Sequence, residues 1–82
     1  MNIATDKLIG RNIRQLREKE KMTQEILAAK MQTCGCDITR SAIAKIEVGQ
    51  RHLYVDEIIL LKSILKTTYE EIFNLSDTNA DL

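Results

Sequence analysis

At 82 residues the chain has room for one domain with a small core, and 44% hydrophobic against 29% charged residues with no proline favours a folded, mainly helical chain over a disordered one. No apolar run approaches the roughly 18 residues of a membrane span, and the Met1–Lys7 stretch lacks the apolar core of a signal peptide, so a cytoplasmic protein is expected. The formal charge is zero, yet residues 1–53 hold ten Lys or Arg against six Asp or Glu while residues 54–82 hold two against six. A basic half facing phosphate and an acidic half facing away would suit nucleic acid; chance on a solvated surface explains the split equally well.

The first helix is expected to start after Thr5 or Asp6 and to run to about Lys21. Leu8, Ile9, Ile13 and Leu16 recur at helical spacing, with Lys7, Arg11, Arg14, Glu18 and Lys21 largely off that stripe. Gly10 inside it costs about 1 kcal/mol against alanine, which is tolerable where another helix approaches closely. The second helix opens at Thr23, a good N-cap, and turns Ile26, Leu27, Ala28 and Met31 inward; small Ala28 and Ala29 would permit a tight contact. Gly35 breaks the chain. A third helix follows with Thr39 as N-cap, Ile43 and Ile46 facing in, and Gly49 at its left-handed end.

After a polar loop over Gln50–Tyr54, a fourth helix is expected from about Val55 to Leu65, carrying Ile58, Ile59, Leu61, Ile64 and Leu65. Asp56 and Glu57 in its first turn suit the helix dipole. Thr68-Tyr69-Glu70-Glu71 has the form of a capping box and opens a short fifth helix through Phe73. With only Tyr54, Tyr69 and Phe73 as aromatics, the core must be aliphatic. The expectation is an all-α fold, one domain over residues 1–75, and a polar tail over 76–82.

Two short helices in succession, the second with a basic leading edge, form the arrangement that places a helix in the DNA major groove. The N-terminal residues of such a helix reach the base edges: here Thr39, Arg40, Ser41 and Ala42, with Lys45 one turn on. Arg40 could donate a bidentate pair to guanine, worth about 1–3 kcal/mol of discrimination, Ser41 suits any base edge, and Ala42 a thymine methyl. On sequence alone, the preferred reading is that Arg40 and Lys45 merely solvate an exposed face. The free amides at the start of the second helix, beside Gln24, suit a phosphate oxygen.

With those pieces in view, the chain resembles the phage repressor/Cro (Xre-like) helix-turn-helix family. The matching stretches are Ile9-Gly10-Arg11-Asn12-Ile13-Arg14-Gln15-Leu16-Arg17, Met22-Thr23-Gln24-Glu25, Ser41-Ala42-Ile43-Ala44-Lys45-Ile46-Glu47-Val48-Gly49 and Tyr69-Glu70-Glu71-Ile72-Phe73, in order over roughly residues 8–75. The resemblance implies a five-helix, lambda-repressor-like domain that binds operator-like double-stranded DNA, usually as a homodimer. It favours base contact for Arg40 and leaves Lys45 evenly divided between base contact and a solvated face. It implies that Thr23, Gln24, Thr39, Gln50 and Arg51 meet the DNA backbone, with His52 a weaker candidate, and that Arg17 and Glu47 form an ion pair joining helices one and three. Tyr69, Ile72, Phe73 and Leu75 are candidates for the dimer contact, or for the core. Two departures stand out: the link between helices two and three is longer than usual, so Gln32–Cys36 reads as an insertion, and Val48 replaces an asparagine able to face phosphate.

Cys34-Gly35-Cys36 invites a metal or redox reading, but a structural zinc site needs four donors, and the chain has two Cys and one His. Two small loop residues are the preferred reading, with no metal. No phosphate-cradling glycine loop or nucleophile with an evident base is present, so neither an enzyme nor a cofactor or small-molecule effector is expected. The expected function is a sequence-specific transcriptional regulator, most simply a repressor acting as a homodimer on a two-fold operator. The competing reading, supported by the neutral charge and the insertion, is a protein-interaction module that keeps the fold without specific DNA binding.

Overall fold

The computed structural model describes residues 3–76. They form α1 (Ile3–Lys19), α2 (Gln24–Thr33), α3 (Arg40–Glu47), α4 (Val55–Ile64) and α5 (Tyr69–Ile72), with no strand among the described residues. The tail expected over 76–82 lies, beyond Ser76, outside the described residues. The helix α1 begins at Ile3, so Thr5 and Asp6 lie within it and are not its caps. Nothing in Ile3-Ala4 breaks a helix, and Asp6 still lies in the first turn, where its charge favours the dipole. Thr23 and Thr39 do cap: their hydroxyls accept from the Ile26 and Ala42 amides, each at 3.1 Å. Thr68 does the same for Glu71, also at 3.1 Å.

Four helices end alike. The residue past the cap is left-handed (Lys21 φ 57°, Gly35 φ 90°, Gly49 φ 80°, Lys66 φ 53°). The next amide then reaches back across the last turn: Met22 to Arg17 at 3.1 Å, Cys36 to Met31 at 3.0 Å, Gln50 to Lys45 at 2.8 Å and Thr67 to Lys62 at 3.1 Å. The same closure sets the path of the α2–α3 link. Gln32 and Thr33 extend α2, and Gly35 turns the chain. The Gln32 side-chain amide donates to the Ile38 carbonyl at 2.7 Å, and Ile38 returns to the core, 3% exposed.

The core is aliphatic: Ile13, Leu27, Met31, Ile43, Leu61, Leu65 and Ile72 are fully buried. Around it α3 packs on α1 and α2, α4 on α2, and α5 on α1. Two sequence expectations fail on exposure. Ile26 is 44% exposed although it was expected on the buried side of α2, and Ala29 is exposed while Ala28 is buried. The short α2 needs only the Leu27–Ala28–Met31 side against α3 and α4, and Ile26 falls outside that arc. Ile72, a candidate for a dimer contact, is core.

Gly10 marks where α1 and α3 meet. A Cβ there would overlap the Ile46 carbonyl oxygen and stand 2.8 Å from that of Glu47, so the end of α3 rests on bare α1 backbone. The chain's far end is held to α1 as well. Asn12, buried, donates its side-chain amide to the Ile72 and Asn74 carbonyls at 2.9 and 2.7 Å, and Arg11 donates to the Ser76 carbonyl at 3.0 Å.

Candidate nucleic-acid interface

The orientation of α3 is fixed by one carboxylate. Glu47, at the last turn of α3, accepts from Arg17 Nε at 2.6 Å and from a second Arg17 nitrogen at 3.0 Å, in a fork from α1. Arg17 also donates to the Met22 carbonyl at 2.7 Å, and Gln24, the first residue of α2, donates its side-chain amide to Glu47 at 3.0 Å. Arg17 and Glu47 are both buried. The Glu47 hydrogen bonds push the Arg17 pKa up against the opposing effect of burial, so the pair is ionic. One network therefore ties the end of α1, the start of α2 and the end of α3.

With that network on one side and Ile43 and Ile46 in the core, the outward face of α3 is determined. At 3.6 residues per turn it is centred on Ser41, Lys45 and Val48, with Arg40 and Ala44 on one flank. Arg40, Ser41, Lys45 and Val48 are exposed. Ala42 and Ala44 are both half-buried, on opposite flanks of that face, and Ala42 packs against the core. Val48, marked in the sequence only as standing where the family often has asparagine, shares this face, as counting the helical period outward from Ile43 and Ile46 shows. The Thr23 and Thr39 hydroxyls accept from helix amides on the surface, which leaves each hydroxyl proton available to a phosphate oxygen. Gln50 is exposed beyond the end of α3.

Arg51, one of the phosphate candidates, is engaged elsewhere. Its two terminal nitrogens each donate to a Glu57 oxygen at 2.9 Å, and one also donates to the His52 carbonyl at 3.2 Å. Glu57 is 4% exposed and additionally accepts from the Tyr54 amide at 3.0 Å, closing the start of α4. Sequence reasoning placed Glu57 there only for the dipole; an acid in the third position of a helix just after a loop bearing Arg was the available signal.

Burial pushes the Glu57 carboxyl up, but the Arg51 hydrogen bonds, the Tyr54 amide and the nearby Arg51 and His52 charges together hold it below the usual carboxylate value. A depressed folded-state pKa contributes stability that is present above the unfolded value and is lost as pH falls through the folded one. Glu57→Gln should therefore remove part of the acid-side loss of stability. Urea melts at neutral pH and near pH 3 measure it; an identical pH dependence in the variant would refute the assignment.

Among the described residues no group of three or more potential metal ligands comes together. Cys34 is exposed and Cys36 half-buried. Burial pushes the Cys36 thiol up, with Glu57 and Asp56 adding to the effect and Arg51 opposing it, which disfavours the reactive thiolate. No helix among the described residues is long and apolar enough to cross a membrane.

A helix-turn-helix family profile matches residues 13–72, most of the chain. No curated protein sequence gives a significant match. Among solved structures, the restriction-modification controller protein C.AhdI from Aeromonas hydrophila superposes with a TM-score of 0.72 at 27% identity, covering 89% of this chain and 100% of its own. Profile and superposition both span α2, α3 and the core that carries them. The chain belongs to the Xre-type (phage repressor/Cro-like) helix-turn-helix family of DNA-binding transcription regulators.

Proposed function

We propose that the protein is a sequence-specific, cytoplasmic repressor that binds a two-fold operator as a homodimer. The observation that carries this reading is α3 itself. Its polar, basic outer face is free of intramolecular partners in the hydrogen bonds seen, while its inner face is locked to two other helices through Glu47. In this reading Arg40, Ser41 and Lys45 contact bases. Ala42 contributes only at the edge of the face. Thr23, Gln24, Thr39 and Gln50 grip phosphate on either side. A controller of a restriction-modification system is the likeness favoured by C.AhdI.

Dimerisation is supported by an apolar surface on the opposite, acidic half. Val55 (74% exposed), Ile59 (53%), Tyr69 (42%) and Phe73 (41%) line one groove between α4 and α5, with the Tyr69 and Phe73 rings stacked at 6.4 Å. A contiguous apolar patch of this kind on a small domain marks an interaction site, and an isologous contact would set two α3 helices in two-fold relation. Ile59→Glu should yield a monomer by light scattering, with operator affinity down about tenfold or more. A variant that stays dimeric would move the interface elsewhere.

The main test is selection from random-sequence duplexes at moderate salt, with Arg40→Ala as control. A palindromic site should be enriched, and the variant should lose about 1–3 kcal/mol and relax specificity at one position of each half-site. Absence of enrichment by folded protein would favour the protein-interaction reading. Salt separates the two further, because only phosphate binding weakens steeply as ionic strength rises.

A further inference from the structure

Arg51 follows the recognition helix, where a cation would naturally meet phosphate, but both ends of its guanidinium fork face a buried carboxylate. We propose that Glu57 is a positioning residue for DNA binding: by holding Arg51 it fastens the Gly49–Tyr54 loop to α4 and withholds that cation from phosphate. The proposal rests on the DNA-binding reading above and assigns the division of labour within that site.

The geometry carries it. Both Glu57 oxygens are in use, accepting from Arg51 at 2.9 Å each and from the Tyr54 amide at 3.0 Å, and the residue is 4% exposed. The loop is closed a second time on the Arg51 side. Its guanidinium donates to the His52 carbonyl at 3.2 Å and lies 5.1 Å from the Tyr54 ring centre, and the His52 and Tyr54 rings meet edge to face at 5.2 Å. Arg51 and Tyr54 are thus held directly by one carboxylate on α4, and His52 through Arg51. Gln50, just before them, stays exposed beside the outward face of α3.

The consequence for binding follows from what phosphate contacts do. A free cation at this point adds affinity for any duplex, because phosphate carries no sequence. A fastened loop instead adds affinity only when α3 is seated in register, because its exposed groups then meet the backbone at a fixed place. Glu57 favours the operator on both counts. It raises specific binding by ordering the loop and lowers non-specific binding by cancelling one charge per protomer.

The test uses the full chain, the operator recovered by selection, and a scrambled duplex of equal length, each titrated over a range of salt. Arg51→Gln should weaken operator binding about tenfold and leave the salt slope of the wild type unchanged, because Arg51 neutralises no phosphate. A slope shallower by about one per protomer would show direct phosphate contact and overturn the proposal. Glu57→Gln, which releases Arg51, should steepen the slope by about one per protomer and strengthen binding to the scrambled duplex while weakening the operator complex. An unchanged slope with unchanged discrimination would overturn it equally. If Glu57→Gln does not fold by circular dichroism, Arg51→Gln alone decides. Wild-type protein that binds both duplexes equally removes the operator reading and this proposal with it; discrimination by the wild type together with a shallower Arg51→Gln slope removes only this one.

Discussion

Gly10→Ala should lower the melting temperature by roughly 10–20 °C, a loss of about 2–3 kcal/mol for a domain of this size. Two effects oppose each other. Alanine is the better helix former by about 1 kcal/mol, which alone would stabilise α1. Against it, the new methyl would overlap the Ile46 carbonyl and stand 2.8 Å from that of Glu47, atoms of backbone and not of a yielding side chain. Because α3 is clamped to α1 by the Arg17–Glu47 fork, it cannot back away without breaking that pair, and overpacking wins. Gly35→Ala is the comparison. Nothing lies within 4 Å of its added Cβ, so its cost is the left-handed backbone alone, about 1–2 kcal/mol. Thermal melts of the two variants decide: a Gly10→Ala protein as stable as wild type would refute the close contact. The displaced α3 should also weaken DNA binding beyond what the loss of folded protein explains.

Glu47→Ala should cost about 3–5 kcal/mol, because it leaves a buried guanidinium without its partner. With total stability expected near 0.05–0.15 kcal/mol per residue, that removes a large part of the fold's margin. The loss is measurable as a lower urea midpoint. The informative partner is the double variant Arg17→Met/Glu47→Leu. Replacing both charges by apolar groups of similar volume should restore most of the stability, since the pair itself contributes little net. Operator affinity should not return with it, because Gln24 loses the carboxylate to which it donates at 3.0 Å and so its fixed place at the start of α2. If stability and affinity recover together, the network is structural only, and Gln24 is placed by something else.

Both predictions depend on contacts that differ in how readily they can be read from sequence. The N-caps were legible, since Thr23 and Thr39 bond to amides three residues on, an interaction that local order alone arranges. The end of α3 was equally so, with Gly49 taking φ 80° after the last turn. The Arg17–Glu47 pair spans 30 positions and was suggested only by resemblance to a family. Nothing in spacing or composition would have joined those two charges among 24. Arg51 shows the limit from the other side. Read as a free cation, it proved to share its fork with Glu57, six residues away across a loop whose path no periodicity describes.

Exposure followed the same division. Helical period predicts which side chains share a face, and Leu27, Ala28 and Met31 do share the buried one. It does not predict how wide an arc the neighbouring helices cover, so Ile26 on the margin came out exposed, and only the structure assigned Ile72, open between dimer contact and core, to the core.

By itself the amino-acid sequence determined the five helices, most of their limits and the polar leading edge of α3, because caps, breakers and period act over a few residues through the backbone. The tertiary structure decided why Gly10 must be glycine, which arginines remain available to a ligand, and where the apolar groove of Val55, Ile59, Tyr69 and Phe73 lies. Each of those depends on which surfaces meet across the core. That meeting is fixed by the packing of whole helices and not by the residues adjacent in the chain.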